Sequence, residues 1–253
     1  IMPDNYKDRF YIAIGNHESY KDVLLQGMRV PGVDKLANIS PIKFDLFKAS
    51  KKKALLLKQF PHLEKTVFHK ETGTYFLDNK NFFLLSIDGI DKDREELLTF
   101  IEENLSKARK ENSLKKLFVI SHYPIFTGLP KEKDSGLAYS DIREKLIVLF
   151  DKYDVDIFMN GHEHFYLRYT KEGMIKAGFN KPYPEKTTYI TNSNFVNPYG
   201  RELKRISLDS LDDSIVYFSG IHYSLIEIKN NTFTLVTYGF DEKNKTWSII
   251  DQF

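Results

Sequence analysis

The sequence predicts an α/β fold, and three observations carry that prediction. Short apolar runs alternate with amphipathic helical stretches through the middle of the chain. Polar clusters containing histidine follow three of those runs directly. The last third then changes to closely spaced strand patterns separated by turn residues.

Taken in order, Phe10 to Ile14 is apolar and stops at Gly15, the pattern of a strand running into a tight loop. Leu36 to Phe60 is lysine-rich with apolar residues at helical spacing, which predicts a partly helical insertion near the surface. The basic run Lys51-Lys52-Lys53 falls inside it and reads as a solvated helix face. Thr74 to Ile87 predicts two strands joined by a turn at Asp78-Asn79. Asp93 to Arg109 predicts an amphipathic helix, with Leu97, Leu98, Ile101 and Leu105 on its buried face. Leu117 to Ile120 is a short apolar strand ending in Ser121-His122.

The alternation continues with a helix from Ser140-Asp141, which supply a cap, to Lys152. Its buried stripe is Ile142, Leu146, Leu149 and Phe150. Val155 to Met159 is the next strand and runs into Asn160-Gly161-His162. Beyond it, Thr187–Thr191, Ile221–Ile228, Thr232–Tyr238 and Trp247–Ile250 read as strands, with a hairpin turn at Asn230-Asn231. No repeat or low-complexity linker divides the chain, so residues 1–253 are read as a single domain.

Composition removes several classes of function. The 42% apolar and 28% charged residues are those of an ordinary globular chain, and 253 residues suffice for one sizeable core. With 37 basic against 35 acidic residues there is no basic surplus to favour nucleic acid or an acidic membrane. No apolar run approaches the roughly 20 residues that span a bilayer. With no cysteine, disulfides, thiolate metal sites and cysteine nucleophiles are all excluded. Four N-x-S/T sequons, at Asn38, Asn104, Asn230 and Asn244, arise readily by chance in an asparagine-rich chain.

The chemistry lies in three strand-end clusters: Gly15-Asn16-His17-Glu18, Ser121-His122-Tyr123-Pro124 and Gly161-His162-Glu163-His164. Sites in open α/β sheets form where strands end and loops begin, so the three loops are placed to converge. In an extended segment His162 and His164 would point to one side, and two imidazoles on one side suit two adjacent divalent ions. Asn16 offers a neutral oxygen, and His17, directly after it, faces elsewhere and is free to move a proton. A single histidine at a strand end is more often a surface or hydrogen-bonded residue, and His62, His69 and His222 are read that way. The conjunction of three clusters points to a metal site.

These clusters resemble the calcineurin-like metallophosphoesterase superfamily, whose later signatures are G-N-H-[ED], a histidine after a buried strand, and G-H-x-H, in that order. The stretch Lys152 to Arg168 is similar to the purple acid phosphatase branch, in which G-H-x-H-x-Y-x-R follows a buried strand. The resemblance implies a four-layer α/β/β/α sandwich. It implies hydrolysis of a small phosphorylated substrate, phosphomonoesters first, with two ions of Fe, Mn or Zn as cofactors. It assigns Asn16, His122 and His162 to one ion, His164 to the other, and His17 to protonation of the leaving oxygen. Tyr166 and Arg168 fit the pattern as supports of the loop. Phe126, Phe165, Tyr166 and Phe195 read as core in preference to a stacking surface.

Two departures from the family bear on these expectations. Thr191-Asn-Ser-Asn-Phe195 stands where glycines often occur. The early D-x-H and G-D motifs are absent, and the D-x-D at Asp91-Lys-Asp93 opens a helix. The resemblance therefore predicts missing N-terminal strands, about one or two strand–helix units of roughly 30 residues each, upstream of Ile1. A signal peptide for secretion would also lie there, and without that piece the 253-residue chain is expected to hold metal poorly and be nearly inactive. Competing readings are a scaffold that keeps the fold without catalysis, and a phosphodiesterase of the same superfamily.

Overall fold

The computed structural model describes residues 52–89, 93–128, 139, 141–193 and 211–253. The strand predicted at Phe10–Ile14 and the first part of the Leu36–Phe60 stretch lie outside them. The described chain opens with helix α1 (Lys52–Gln59) and a short 3-10 helix over Pro61–Lys65. Strands β1 (Val67–Phe68), β2 (Tyr75–Asp78) and β3 (Phe82–Ile87) then pair antiparallel in turn. The turn between β2 and β3 is the predicted one, closed by the Asn79 amide on the Phe82 carbonyl (2.9 Å) and by the Asn79 side chain accepting from Asn81 N (3.2 Å).

Helix α2 (Arg94–Glu111) crosses from β3 to β4 (Lys116–Ser121), and α3 (Arg143–Lys152) crosses from β4 to β5 (Ile157–Asn160). Both crossovers place parallel strands side by side. Asp93 caps α2 by accepting from Glu96 N (3.4 Å), and Leu97, Leu98, Ile101 and Leu105 are buried as the periodicity predicts. Of the cap predicted for α3, Ser140 lies outside the described residues, and Asp141 is not the N-cap residue. Ile142 is the N-cap residue and gives no side-chain hydrogen bond, while the Asp141 carboxylate accepts from Arg94 Nε (3.2 Å). What fixes that end of the helix is burial of Ile142 in the core.

Strand β6 (Tyr166–Tyr169), helix α4 (Lys171–Lys176), β7 (Thr188–Asn192) and β8 (Ile215–Phe218) complete an eight-stranded mixed sheet in the order β1-β2-β3-β4-β5-β7-β6-β8. Strands β6 and β8 were not expected from the sequence. Strands β9 (His222–Lys229), β10 (Thr232–Asp241) and β11 (Thr246–Gln252) form a second, antiparallel sheet. Its first hairpin turns at Asn230 and Asn231, both in the left-handed region (φ 49° and 60°) that asparagine tolerates in such turns.

Alternation along the parallel strands divides the core in two. Phe83, Leu85, Leu117, Val119, Phe158 and Tyr189 pack under α2, α3 and α4. Leu84, Phe118, Ile157 and Ile190 point the other way, onto Leu235 of β10 and Leu56 of α1. A sheet buried on both faces needs near-continuous apolar strands, which is why these segments lack a polar face. Each fully buried Leu, Ile or Phe contributes about 1.5–3 kcal/mol of transfer free energy. Three of the four expected layers, helices, large sheet and small sheet, are built by the described residues. No helix among them is long and apolar enough to cross a membrane.

Lys52 corrects the reading of the basic run. It is buried, and its ammonium pairs with the fully buried carboxylate of Asp88 just past β3. Periodicity placed the helix, but nothing local announced a carboxylate 36 residues away that would draw one lysine inward.

Candidate functional site

Register aligns the strand ends. Ile87 lies opposite Ser121, Ser121 opposite Asn160, and Asn160 opposite Thr191. The residues that follow, Asp88, His122, Gly161-His162 and Ser193, therefore emerge along one edge of the large sheet, as the rule for α/β sheets requires.

His122 and His162 meet there. Nε2 of His122 lies 3.1 Å from Nδ1 of His162, and the rings cross edge to face with centroids 5.1 Å apart. Tyr123 packs on both, 5.0 Å from His122 and 4.9 Å from His162. The two loops are also joined through the backbone, the Gly161 amide donating to the His122 carbonyl (3.1 Å). Both histidines are partly exposed.

The loop after β5 differs from the extended segment expected of H-x-H. His162 and His164 both have positive φ, 72° and 58°. Parallel display of alternate side chains therefore does not apply, and the backbone turns at each histidine. Left-handed backbone costs a residue with a Cβ of order 1–3 kcal/mol, so the loop must be held by its surroundings. Glu163, between the two, is fully buried and accepts from the Gly128 amide (3.0 Å) and from the Thr127 hydroxyl. The His164 amide donates to Ser193 Oγ (2.8 Å). The Asn160 side-chain amide donates to the Gly161 carbonyl (2.9 Å) and to Thr191 Oγ1 (3.0 Å).

Tyr166 and Arg168 support β6 and do not touch the loop's histidines through any of these bonds. The Arg168 guanidinium holds both oxygens of Asp251 (2.6 and 2.7 Å), and the Tyr166 hydroxyl donates to the same carboxylate (2.6 Å). This ties the large sheet to β11 of the small one. Burial first, then the Asp251 charge, raises the Tyr166 phenol above its ordinary pKa, so it remains a donor. Phe126, Phe165 and Tyr166 are buried core residues.

Of the site residues read from the sequence, His122 and His162 come together, and His164 follows two positions along the same loop. Asn16 and His17 lie outside the described residues, as does Phe195. Among the described residues no three His, Asp or Glu side chains cluster closely enough to enclose a metal. The histidine pair itself suits one. Two imidazole nitrogens each about 2.0–2.1 Å from a shared ion would be separated by about 3 Å, and the donor type fits Zn, Fe or Mn.

Sequence reasoning missed Glu163, Thr127 and Ser193. The signal for Ser193 was present, because Thr191 to Phe195 stood out as a departure, and its hydroxyl does what a glycine cannot.

No curated protein matches the sequence significantly. Among solved structures, purple acid phosphatase PPD1 from yellow lupin seeds is 17% identical and aligns over 71% of this chain and 32% of its own, with a TM-score of 0.48. GAP50, the anchor in the inner membrane complex of Plasmodium, is 17% identical over 71% of this chain and 52% of its own, with a TM-score of 0.44. A Vps29 double mutant from Entamoeba histolytica is 13% identical over 74% of this chain and 63% of its own, at 0.28. The chain thus spans about a third of the length of the lupin protein it matches. The family profile of calcineurin-like phosphoesterases matches residues 2–166, from before the first histidine cluster to past the last, and this chain belongs to that family.

Proposed function

We propose that the protein hydrolyses phosphoesters, with phosphomonoesters as the substrate class, at a two-metal site of the kind the purple acid phosphatase-like motif implies. The observation that carries this reading is the 3.1 Å approach of His122 Nε2 to His162 Nδ1 at adjacent strand ends. Together with Asn16 these histidines would hold one ion, and His164 would contribute to a second. When bound, such ions polarise phosphoryl oxygens and lower the pKa of the attacking water.

The remaining work falls to this chain's own groups. Both imidazoles must present lone pairs, so the hydrogen bond between them gives way on loading. Tyr123, packed on both rings, limits the orientations they adopt. His17 donates a proton to the departing alkoxide, a role an imidazole can take.

The test is hydrolysis of p-nitrophenyl phosphate by the full chain titrated with Mn(II) or Zn(II). Weak turnover that climbs with metal and disappears in His162→Ala is the expected result. With an alkyl phosphate as substrate, whose alkoxide leaving group does need the proton, His17→Ala should lower turnover by about 10²–10⁴ while bound metal is unchanged. Metal binding without any turnover above the His162→Ala background would replace this reading with that of a scaffold.

A further inference from the structure

We propose that Glu163 is a positioning residue that sets the relative placement of the two histidine loops, and so the geometry of His162 and His164. The proposal rests on the metal-site reading of those histidines but has its own structural basis. Glu163 is the central residue of Gly161-His162-Glu163-His164 and its side chain is fully buried. A carboxylate is ordinarily kept in water, and burying one requires partners that satisfy its oxygens. Its two oxygens are satisfied separately, one by the Thr127 hydroxyl and one by the Gly128 amide. Both donors lie on the loop that begins at His122. Glu163 is therefore a strut between the loop after β4 and the loop after β5.

What the strut holds is the unusual backbone on either side of it. His162 and His164 are both left-handed (φ 72° and 58°), and an unanchored chain would relax toward ordinary backbone at both. Either relaxation rotates an imidazole out of its present direction. Gly161 does not take this conformation on itself, and a Cβ there would meet only ordinary contacts at 3.4 Å or more. The turn is thus imposed on the histidines from outside, by Glu163 on one side and by Ser193 at the His164 amide on the other.

The chemistry of the strut predicts which substitution rescues it. Glu163→Ala removes both acceptors. Glu163→Gln keeps both bonds, its oxygen accepting from Gly128 N and its amide donating to a Thr127 hydroxyl turned to accept. Thr127→Val removes one bond and preserves shape.

The experiment reads side-chain nitrogen NMR of the histidines in the metal-free full chain, then Zn(II) affinity by titration. In Glu163→Ala the resonances of His122 and His162 should lose the signature of their mutual hydrogen bond, and affinity should fall by about 10–100-fold, as for other residues that orient ligands. Glu163→Gln should restore both, and Thr127→Val should fall between. Should Glu163→Ala not fold, Thr127→Val against Glu163→Gln decides the matter. Wild-type imidazole resonances, with affinity within about twofold of wild type, in Glu163→Ala or in Thr127→Val would overturn the proposal. If the wild-type chain binds no Zn(II), the metal reading fails, while the metal-free resonances still support or overturn the positioning role.

Discussion

Strands β3, β4 and β5 are parallel neighbours that end side by side, yet their ends are put to different uses. Strand β3 runs into Asp88, which is fully buried, pairs with Lys52 and accepts from the Gly73 amide (3.2 Å). Strands β4 and β5 run into His122 and His162, which are partly exposed and meet each other. The carboxylate closes a strand end, because its charge is spent on α1 and on the segment before β2. The imidazoles instead turn toward each other across the two loops. A polar residue at a strand end is therefore not by position alone a site residue, and what separates the two cases is burial and the kind of partner.

The largest effect expected from breaking this contrast is on stability. Asp88→Ala strands the Lys52 ammonium in the interior, and losing one partner of a buried pair costs about 3–5 kcal/mol. Urea unfolding measures it, and the folded fraction should keep the His122–His162 hydrogen bond. A cost below about 1 kcal/mol would place Asp88 among surface ion pairs in energetic terms.

A second closed pair sharpens the contrast at the opposite face of the sheet. Asp251→Asn weakens its hold on Arg168 and Tyr166, and hydrogen bonds to charged groups contribute about 1.5–3 kcal/mol. The loss should appear in unfolding, with no change in metal affinity, since none of these groups contacts the histidine loops through the bonds described.

The smallest effect concerns a buried histidine. His222 is buried against Tyr166 and Phe218, and burial lowers its pKa, partly offset by its bond to the Gly220 carbonyl. The unfolded chain then binds the proton more readily than the folded one. This contributes a loss of stability that begins as pH falls through about 6.5 and is absent above it, with a slope of at most about 1.4 kcal/mol per pH unit. His222→Phe should flatten that part of the profile between about pH 7 and about pH 5, and an unchanged profile would show that His222 titrates alike in both states.

Much of the described fold was legible in advance for a physical reason. Local periodicity determines α2, β4, β5 and the β9–β10 hairpin, so Leu97 to Leu105 and Asn230-Asn231 could be placed from neighbours alone. Strand β6 was hidden inside a motif, and β8 is four residues with no periodicity to speak of. At the site, the histidines were legible as residue types, whereas their backbone was not. Left-handed φ at His162 and His164 depends on Glu163 reaching Thr127 and Gly128, 35 or 36 residues away. The same distance effect hid the Lys52–Asp88 pair. Long-range satisfaction of buried charge is what a single sequence does not display.

The central claim, that His122 and His162 jointly offer their nitrogens to one ion, has a direct test. Zn(II) is titrated into the full chain while histidine side-chain nitrogen resonances are followed. The account predicts that His122 Nε2 and His162 Nδ1 change together, with the same dependence on added metal, while buried His222 does not respond. Binding that moves only one of the pair, or leaves both where they were, would contradict it.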